Sequence, residues 1–545
     1  MKKLVNLRKK RFLIIDDQKP FQVMLKGLLL SLGAGEVVTK TSGEAGIAAH
    51  QKHPFDILMV DYNLGRGKNG RQVLEELRAR NLLKEDSLFF LITGDNTRPM
   101  VLSALELQPD DYLMKPFSHG TLRARLQRSH NKRETLKDVY QPLLKHEYYE
   151  CIAACQKHID EQGRYVNFCR KLQAEMYNKT EQYDKAETLL MELLSEHKQA
   201  WALLVLAETR MLQNRPYDAL DIARKVARST PNAIEAHDLL VRAYLAIEEY
   251  ENALESARKA ISLAPYSLER QSLLANVARQ NGDFDLARQA MQHIVEITRK
   301  SVHRHPKHLL AYLRSILDAA EHGETRQQIS RYQTEASLAL QRARFDDNIV
   351  YSELSFDDIE SVVSARIEAF NGRFREAQKH LNDVVGTQLA NDEEISDELL
   401  PDIMCVLMDL GEYEKADEIA KRLQQAGGVD EYTERLLSAR MNASQQRQNK
   451  FFECHHQGIK YYRNGNFGRA LENFTEALKH APMNSGAALN YIQAASRILG
   501  TSEEPNQQLV QECKRCFRIL EGLSLTPSHQ QRYDQLYEQC RRFGV

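Results

Sequence analysis

The chain has 545 residues, 74 of them basic and 75 acidic, for a formal net charge of -1. That length exceeds what one hydrophobic core serves, so several domains, or one domain followed by a repeat array, are expected. The charge balance argues against a protein that binds nucleic acid or an anionic membrane through bulk electrostatics, and one Trp with few Gly and Pro leans the composition towards helix.

Residues 1–10 read as a basic, solvated tail. The opening "MKKLVNLRKKRFLII" starts like a signal peptide, but its apolar run stops at Asp16, so neither an export signal nor a membrane span is expected. Eight cysteines, scattered without the spacing of a secreted framework, fit reduced thiols and a cytoplasmic location. The single CxxC, Cys513 and Cys516, lies in a helical pattern and reads as helix packing. His303, His305 and His308, and His455 and His456 beside Cys454, lack a complete four-ligand spacing for a metal.

Between residues 11 and 130, β-rich apolar runs alternate with amphipathic stretches. The runs are "RFLII" (11–15), "EVVTKT" (36–41), "ILMVD" (57–61), "LFFLIT" (88–93) and "DYLMKP" (111–116). Five such runs separated by helical patterns predict an α/β doubly wound, five-stranded parallel sheet, whose functional crevice lies outside the carboxyl ends of its strands. Between Gly120 and Pro142 the chain has neither Gly nor Pro, which predicts a last helix running nearly continuously into whatever follows.

From residue 131 the pattern is all-helical. In "LLVRAYLAIEEYENALESARKAISLAP", Leu240, Tyr244, Ala253, Ala260 and Pro265 recur in the phase of Gly458, Tyr461, Ala470, Phe474, Ala477 and Pro482 further on. The small residues Cys151, Ala186, Ala219, Ala253 and Ala287 follow one another at steps of 35, 33, 34 and 34. Later markers, Ala377, Ala416 and Ala470, lose that regularity. This resembles a tetratricopeptide array, an all-α solenoid in which stacking supplies the apolar partner that each helix pair lacks. We read a sub-array at 131–295, an irregular helical segment at 296–360 with a break near "SVHRHPKHLLAY", and a second sub-array with capping helices at 361–545.

Strand ends carry the chemistry. Asp16 and Asp17 end the first run, Asp61 the third, Thr93 the fourth and Lys115 the fifth, so a parallel sheet brings all five to one edge. Taken alone, an Asp pair after a strand is most simply a helix N-cap with a solvated neighbour. Together, three carboxylates would repel one another, and a hard divalent cation such as Mg²⁺ between them is the expected remedy. A carboxylate, a hydroxyl and an ammonium around such a cation suit phosphoryl acceptance: Asp61 as nucleophile, Lys115 neutralising charge, Thr93 binding an oxygen.

This set resembles the receiver domain of two-component response regulators, over about residues 10–130. The resemblance implies that Asp17 and Asp61 ligate the metal directly, that Asn63 adds its main-chain carbonyl, and that Asp16 acts largely through water. It also places Tyr112 as an aromatic switch coupled to Thr93. Where the family often carries Pro, this chain has Gly65, in a loop one residue longer than the commonest form.

The expected function is a response regulator that a sensor histidine kinase phosphorylates on Asp61, and whose solenoid binds an unnamed protein partner according to that state. No separate enzymatic output, membrane insertion or nucleic-acid binding is expected, and dimerisation through the receiver is left open. Two rivals are a phosphate sink or phosphatase adaptor acting on a partner kinase or receiver, and a nucleic-acid-binding regulator. The groove positions Asp238 and Arg242, or His455 and Ile459, do not supply the Lys and Asn of a chaperone-tail clamp.

Overall fold

The three inner strands of the sheet are buried on both faces, and the fold follows from that. The computed structural model describes residues 7–543 other than 96, 347–348, 352–353, 392–394, 426–428, 501–505, 522 and 524. Strands β1 (Arg11–Ile15), β2 (Glu36–Lys40), β3 (Ile57–Asp61), β4 (Leu88–Thr93) and β5 (Asp111–Met114) form one parallel sheet in the order β2-β1-β3-β4-β5. Five helices cover it: α1 (Lys19–Ser31), α2 (Gly43–Lys52), α3 (Gly70–Ala79), α4 (Arg98–Glu106) and α5 (His119–Thr135).

Alternate strand residues point to opposite faces. Phe12, Ile14, Ile57, Met59, Phe90 and Ile92 pack onto Leu25 and Leu29 of α1 and Leu122 and Leu126 of α5. Leu13, Ile15, Leu58, Val60, Phe89 and Leu91 face α2, α3 and α4 through Ile47, Val73, Leu74 and Ala104. Each such side chain, fully buried, stabilises the fold by roughly 1.5–3 kcal/mol.

Three expectations change. Residues 1–6 of the basic tail lie outside the described residues, but Leu7–Lys9 form a 3-10 turn with Leu7 buried in the sheet's core. Lys10 closes the turn with ion pairs to Asp86 (3.4 Å) and Asp56 (3.7 Å), so this end of the tail is held rather than solvated. β5 stops at Met114, before Pro116, because proline has no N–H to continue a ladder. The helix after it is broken at Leu136, which is fully buried among Val139, Cys151, Cys155 and Cys169 and takes a non-helical ψ of 20°.

His50 gives the receiver a pH dependence. It is fully buried; its Nδ1 accepts from the Phe55 N–H (3.2 Å) while Nε2 donates to the Leu82 carbonyl (3.0 Å), which fixes the neutral tautomer. Burial lowers its pKa. The unfolded chain binds a proton below about pH 6.5 that the folded chain refuses, so stability is lost as the pH falls from there towards the folded-state pKa. Thermal unfolding followed from about pH 7.5 to 5.5 should show a steeper acid decline in wild type than in His50→Gln. Equal slopes would remove His50 from the acid response.

Beyond Leu136, ten helices complete a compact unit, Met1–Arg304. They are α6 (Lys137–Leu144), α7 (Tyr148–Asp160), α8 (Val166–Lys179), α9 (Tyr183–Glu196), α10 (Ala200–Leu212), α11 (Pro216–Ser229), α12 (Ile234–Ala246), α13 (Tyr250–Leu263), α14 (Leu268–Gln280) and α15 (Phe284–Thr298). The marker residues explain the stacking. Cys151, Ala186, Ala219, Ala253 and Ala287 are each the fourth residue of their helix, and each is fully buried where neighbouring helices approach.

His305–Val545 forms the second compact unit. It holds α16 (Pro306–Glu321), α17 (Arg326–Arg344), α18 (Phe356–Phe370), α19 (Phe374–Asn391), α20 (Leu400–Leu410), α21 (Tyr413–Gln425), α22 (Glu431–Arg463), α23 (Phe467–His480), α24 (Ser485–Leu499), α25 (Gln507–Glu521) and α26 (Pro527–Arg541). Helix pairing continues here, α16 with α17 and α18 with α19. The 33-residue α22 packs on both α20 and α23, which accounts for the long step between Ala416 and Ala470.

A buried ion network ties this unit together. Asp402 of α20 receives Arg314 of α16 (2.6 Å) and Arg366 of α18 (2.8 Å), and Arg366 also reaches Glu321 (2.9 Å). Arg440 of α22 joins Glu321 and Asp409. All eight cysteines are free thiols; Cys513 and Cys516 pack inside the core of α24, α25 and α26. No helix among the described residues is long and apolar enough to cross a membrane.

Candidate functional site

The carboxyl edge of the sheet gathers Asp16, Asp61, Thr93 and Lys115. Asp16, 1% exposed, follows β1; its main-chain N–H donates to the Lys40 carbonyl (3.1 Å) and its Oδ1 accepts from the Gln18 N–H (2.8 Å). Asp17 beside it is exposed. Lys115 Nζ stands 2.7 Å from Asp16 Oδ2 and 2.7 Å from Asp61 Oδ1. The Lys115 ammonium is therefore set against both Asp16 and Asp61.

Asp61 is 5% exposed. Its Oδ2 accepts from the Asn63 N–H (3.2 Å), while Oδ1, despite the Lys115 ion pair, closes no hydrogen bond. Burial above all, with Asp16 and Asp17 adding to it and Lys115 opposing it, pushes the carboxyl up to about 6. Thr93 is buried, and its Oγ1 accepts from the Asp95 N–H (3.0 Å). Tyr112 is half-buried, with its hydroxyl enclosed beside Thr93 but not hydrogen-bonded. Burial raises that phenol's pKa and the Thr93 hydroxyl opposes the rise.

The loop after β3 is built for close approach. Gly70 opens α3 directly against the Asp61 carbonyl, where a Cβ would come within 2.4 Å. Asn69 caps α3 in a box with Gln72. Gly65 has φ +70°, and a Cβ there would meet Asp17 Oδ2 at 3.4 Å, so glycine answers both the backbone and the space.

Two contributors escaped the sequence reading. Phe21, in the first turn of α1, carries the Lys115 ammonium 3.9 Å from its ring centroid. Gln22 donates to the carbonyls of Asp16 (2.5 Å) and Lys40 (3.1 Å) and fixes the turn that bears the acidic pair. The "DDQKPFQ" spacing was the available signal, because it places both side chains on the first turn above the site.

Among the described residues, no three His, Cys, Asp or Glu side chains are gathered so as to hold a metal ion. His455 bonds Asn490 (2.9 Å), His456 the Phe452 carbonyl (2.8 Å), and His305 caps α16. Asp238 and Arg242 are taken up by ion pairs with Arg270 and Glu208.

Parts of the chain resemble known protein families. The profile of the response regulator receiver domain matches residues 12–127, that of the ChAPs (Chs5p-Arf1p-binding proteins) residues 130–320, and a tetratricopeptide repeat profile residues 457–497. Chemotaxis protein CheY-3 of Vibrio cholerae is 28% identical over 116 residues, 21% of this chain and 88% of that protein. Probable transcriptional regulator ycf27 of Cyanidium caldarium is 30% identical over 122 residues, 22% of this chain and 47% of the regulator. The solved CheY-like receiver domain from Methylobacillus flagellatus is 28% identical, with a TM-score of 0.20, covering 22% of this chain and 98% of that one. Residues 12–127 are thus a receiver domain of the two-component response-regulator family, and an all-helical region of tetratricopeptide type follows it.

Proposed function

We propose that Asp61 accepts a phosphoryl group from a cognate sensor histidine kinase, and that the tetratricopeptide solenoid passes the state of Asp61 on by binding a protein partner. Its carrying observation is the buried Asp61 carboxylate with Lys115 2.7 Å from Oδ1 and the Thr93 hydroxyl on the adjacent strand end. An Asp61 oxygen attacks phosphorus as the bond to the donor nitrogen breaks, giving an acyl phosphate; Lys115 offsets the charge gathering on the transferring group, and Thr93 hydrogen-bonds one of its oxygens.

Receiver domains generally use Mg²⁺ in this reaction. The donors here suit a hard cation: Asp61 is a buried carboxylate, and Asp17 is a second, exposed carboxylate on the same rim. Asp17, Asp61 and the Asn63 main-chain carbonyl would hold the ion, with Asp16 acting through water. Bound there, it would supply positive charge to the phosphoryl oxygens. We place this chemistry in the cytoplasm and assign the solenoid no enzymatic activity of its own.

Acetyl phosphate with Mg²⁺ should add one phosphoryl group to the full chain, read by intact mass and mapped to Asp61, and Asp61→Asn should take none. Labelling that persists in Asp61→Asn would remove Asp61 as the acceptor.

A further inference from the structure

Solenoid helices grip the receiver on both flanks of Asp61. On one flank is the loop that follows β3. Lys300 Nζ donates to the Arg66 carbonyl (2.8 Å), and Lys68 Nζ returns a bond to the Lys300 carbonyl (2.7 Å). Arg71 donates to the Tyr266 carbonyl and Gln72 Nε2 to that of Ile297 (3.4 Å). Ile297 lies in the last turn of α15 and Lys300 just after it, where helix carbonyls lack intrahelical partners and the dipole is negative, whereas Tyr266 lies in the turn between α13 and α14. Lys68 and Gln72 of the receiver thus meet the carboxyl end of α15.

The other flank is α4. Leu102 packs on Ile234, Leu263 and Ala264 of the solenoid. Arg270 of α14 joins Glu106 of α4 to Asp238 of α12, the latter at 2.8 to 3.0 Å. With the Arg270 side chain 12% exposed, this fork is sheltered from the solvent that weakens surface ion pairs. Between the flanks lies a cavity of about 450 Å³ lined by Tyr62, Asn63, Met100 and Tyr266.

Both gripped segments adjoin the reacting group. Asn63, which hydrogen-bonds Asp61 Oδ2, lies on the first; Thr93, held by the Asp95 N–H, leads through a short loop into α4. A Thr93 hydroxyl that turns to a phosphoryl group must leave Asp95 and displace that loop, while Arg270 anchors the far end of α4. Resting on the receiver reading above, we propose that Arg270 and Lys300 are positioning residues for the phosphorylation of Asp61: the docked solenoid holds both flanks as they stand around the unmodified carboxylate, and a phosphoryl group there releases it. Coupling of this kind is reciprocal, so weakening the grip tightens binding of a phosphoryl mimic by the same factor.

The test uses the full chain, beryllofluoride with Mg²⁺ as the probe, and hydrogen exchange read by mass spectrometry. In wild type, saturating probe should slow exchange at 93–97 and speed it at 264–270 and 296–304. Glu106→Gln, which spares the Arg270–Asp238 pair, combined with Lys300→Met, should show the faster exchange without probe and bind it about tenfold more tightly. Glu106→Asp, paired with native Lys300, should return to wild-type affinity. Probe binding that protects 93–97 but leaves the solenoid peptides unchanged, with all variants binding as wild type does, overturns the clamp and leaves the receiver reading intact. No binding at all overturns both.

Discussion

Lys115→Met should slow phosphorylation of Asp61 by roughly 10²–10³-fold, the usual cost of losing one preorganised charge at a reacting centre. In the folded protein the Lys115 ammonium lies 2.7 Å from Asp16 and from Asp61, and both carboxylates are buried. Removing it leaves two negative groups facing each other and takes away the fixed cation that the transferring phosphoryl group would meet. Lys115→Arg keeps the charge but spreads it over a wider planar group, and should recover only part of the rate. Acetyl phosphate labelling timed by intact mass gives the comparison. If Lys115→Met labels within threefold of wild type, the ammonium serves folding and not transfer.

Asp402→Ala should cost the His305–Val545 unit about 3–5 kcal/mol, the range for breaking a buried ion pair from one side. Asp402 is 1% exposed and accepts from Arg314 and Arg366, each 3% exposed, so its loss takes the carboxylate from a desolvated Arg314 and leaves Arg366 with Glu321. Replacing all three together by apolar residues of similar volume should restore much of the loss, because no unpaired charge remains. Urea unfolding followed by hydrogen exchange separates this unit from the rest of the chain. A loss below about 1 kcal/mol would mean that water reaches the network and screens it as it does a surface pair.

What the sequence disclosed depended on how local the cause was. β1, β3 and β4 were legible because burial on both faces makes each a continuous apolar run. The site residues were legible because a parallel sheet puts every strand's carboxyl end on one edge, so order along the chain became proximity in space. Leu7 was hidden by the charges around it, since one apolar residue in a basic tip has no period. Leu136 breaks a stretch of good helix formers because its burial outweighs propensity. The α16/α17 pair lacks the small fourth residue that marks α7, α9, α11, α13 and α15; α17 has Ile329 there, and Gly323 makes room against it. The Arg314–Asp402–Arg366 network joins residues far apart in sequence that read singly as solvated charges. The solenoid's grip on the receiver left almost no trace, because most of its acceptors are main-chain carbonyls that any residue carries.

The route of the chain between receiver and grip sets a competition. α5 is anchored to the receiver by Arg133 on Asp110 (2.5 Å), and Gln141 of α6 by Glu85 (2.6 Å), so the helices leave from a fixed point and return at α12 to α15. A site tethered in this way sees its occupant at an effective concentration of about millimolar. A soluble protein present at about micromolar levels must then bind the same receiver face roughly a thousandfold more tightly than the solenoid does to displace it. The solenoid is a ligand that its own receiver can never dilute, and a partner gains entry most readily when something else has already loosened it.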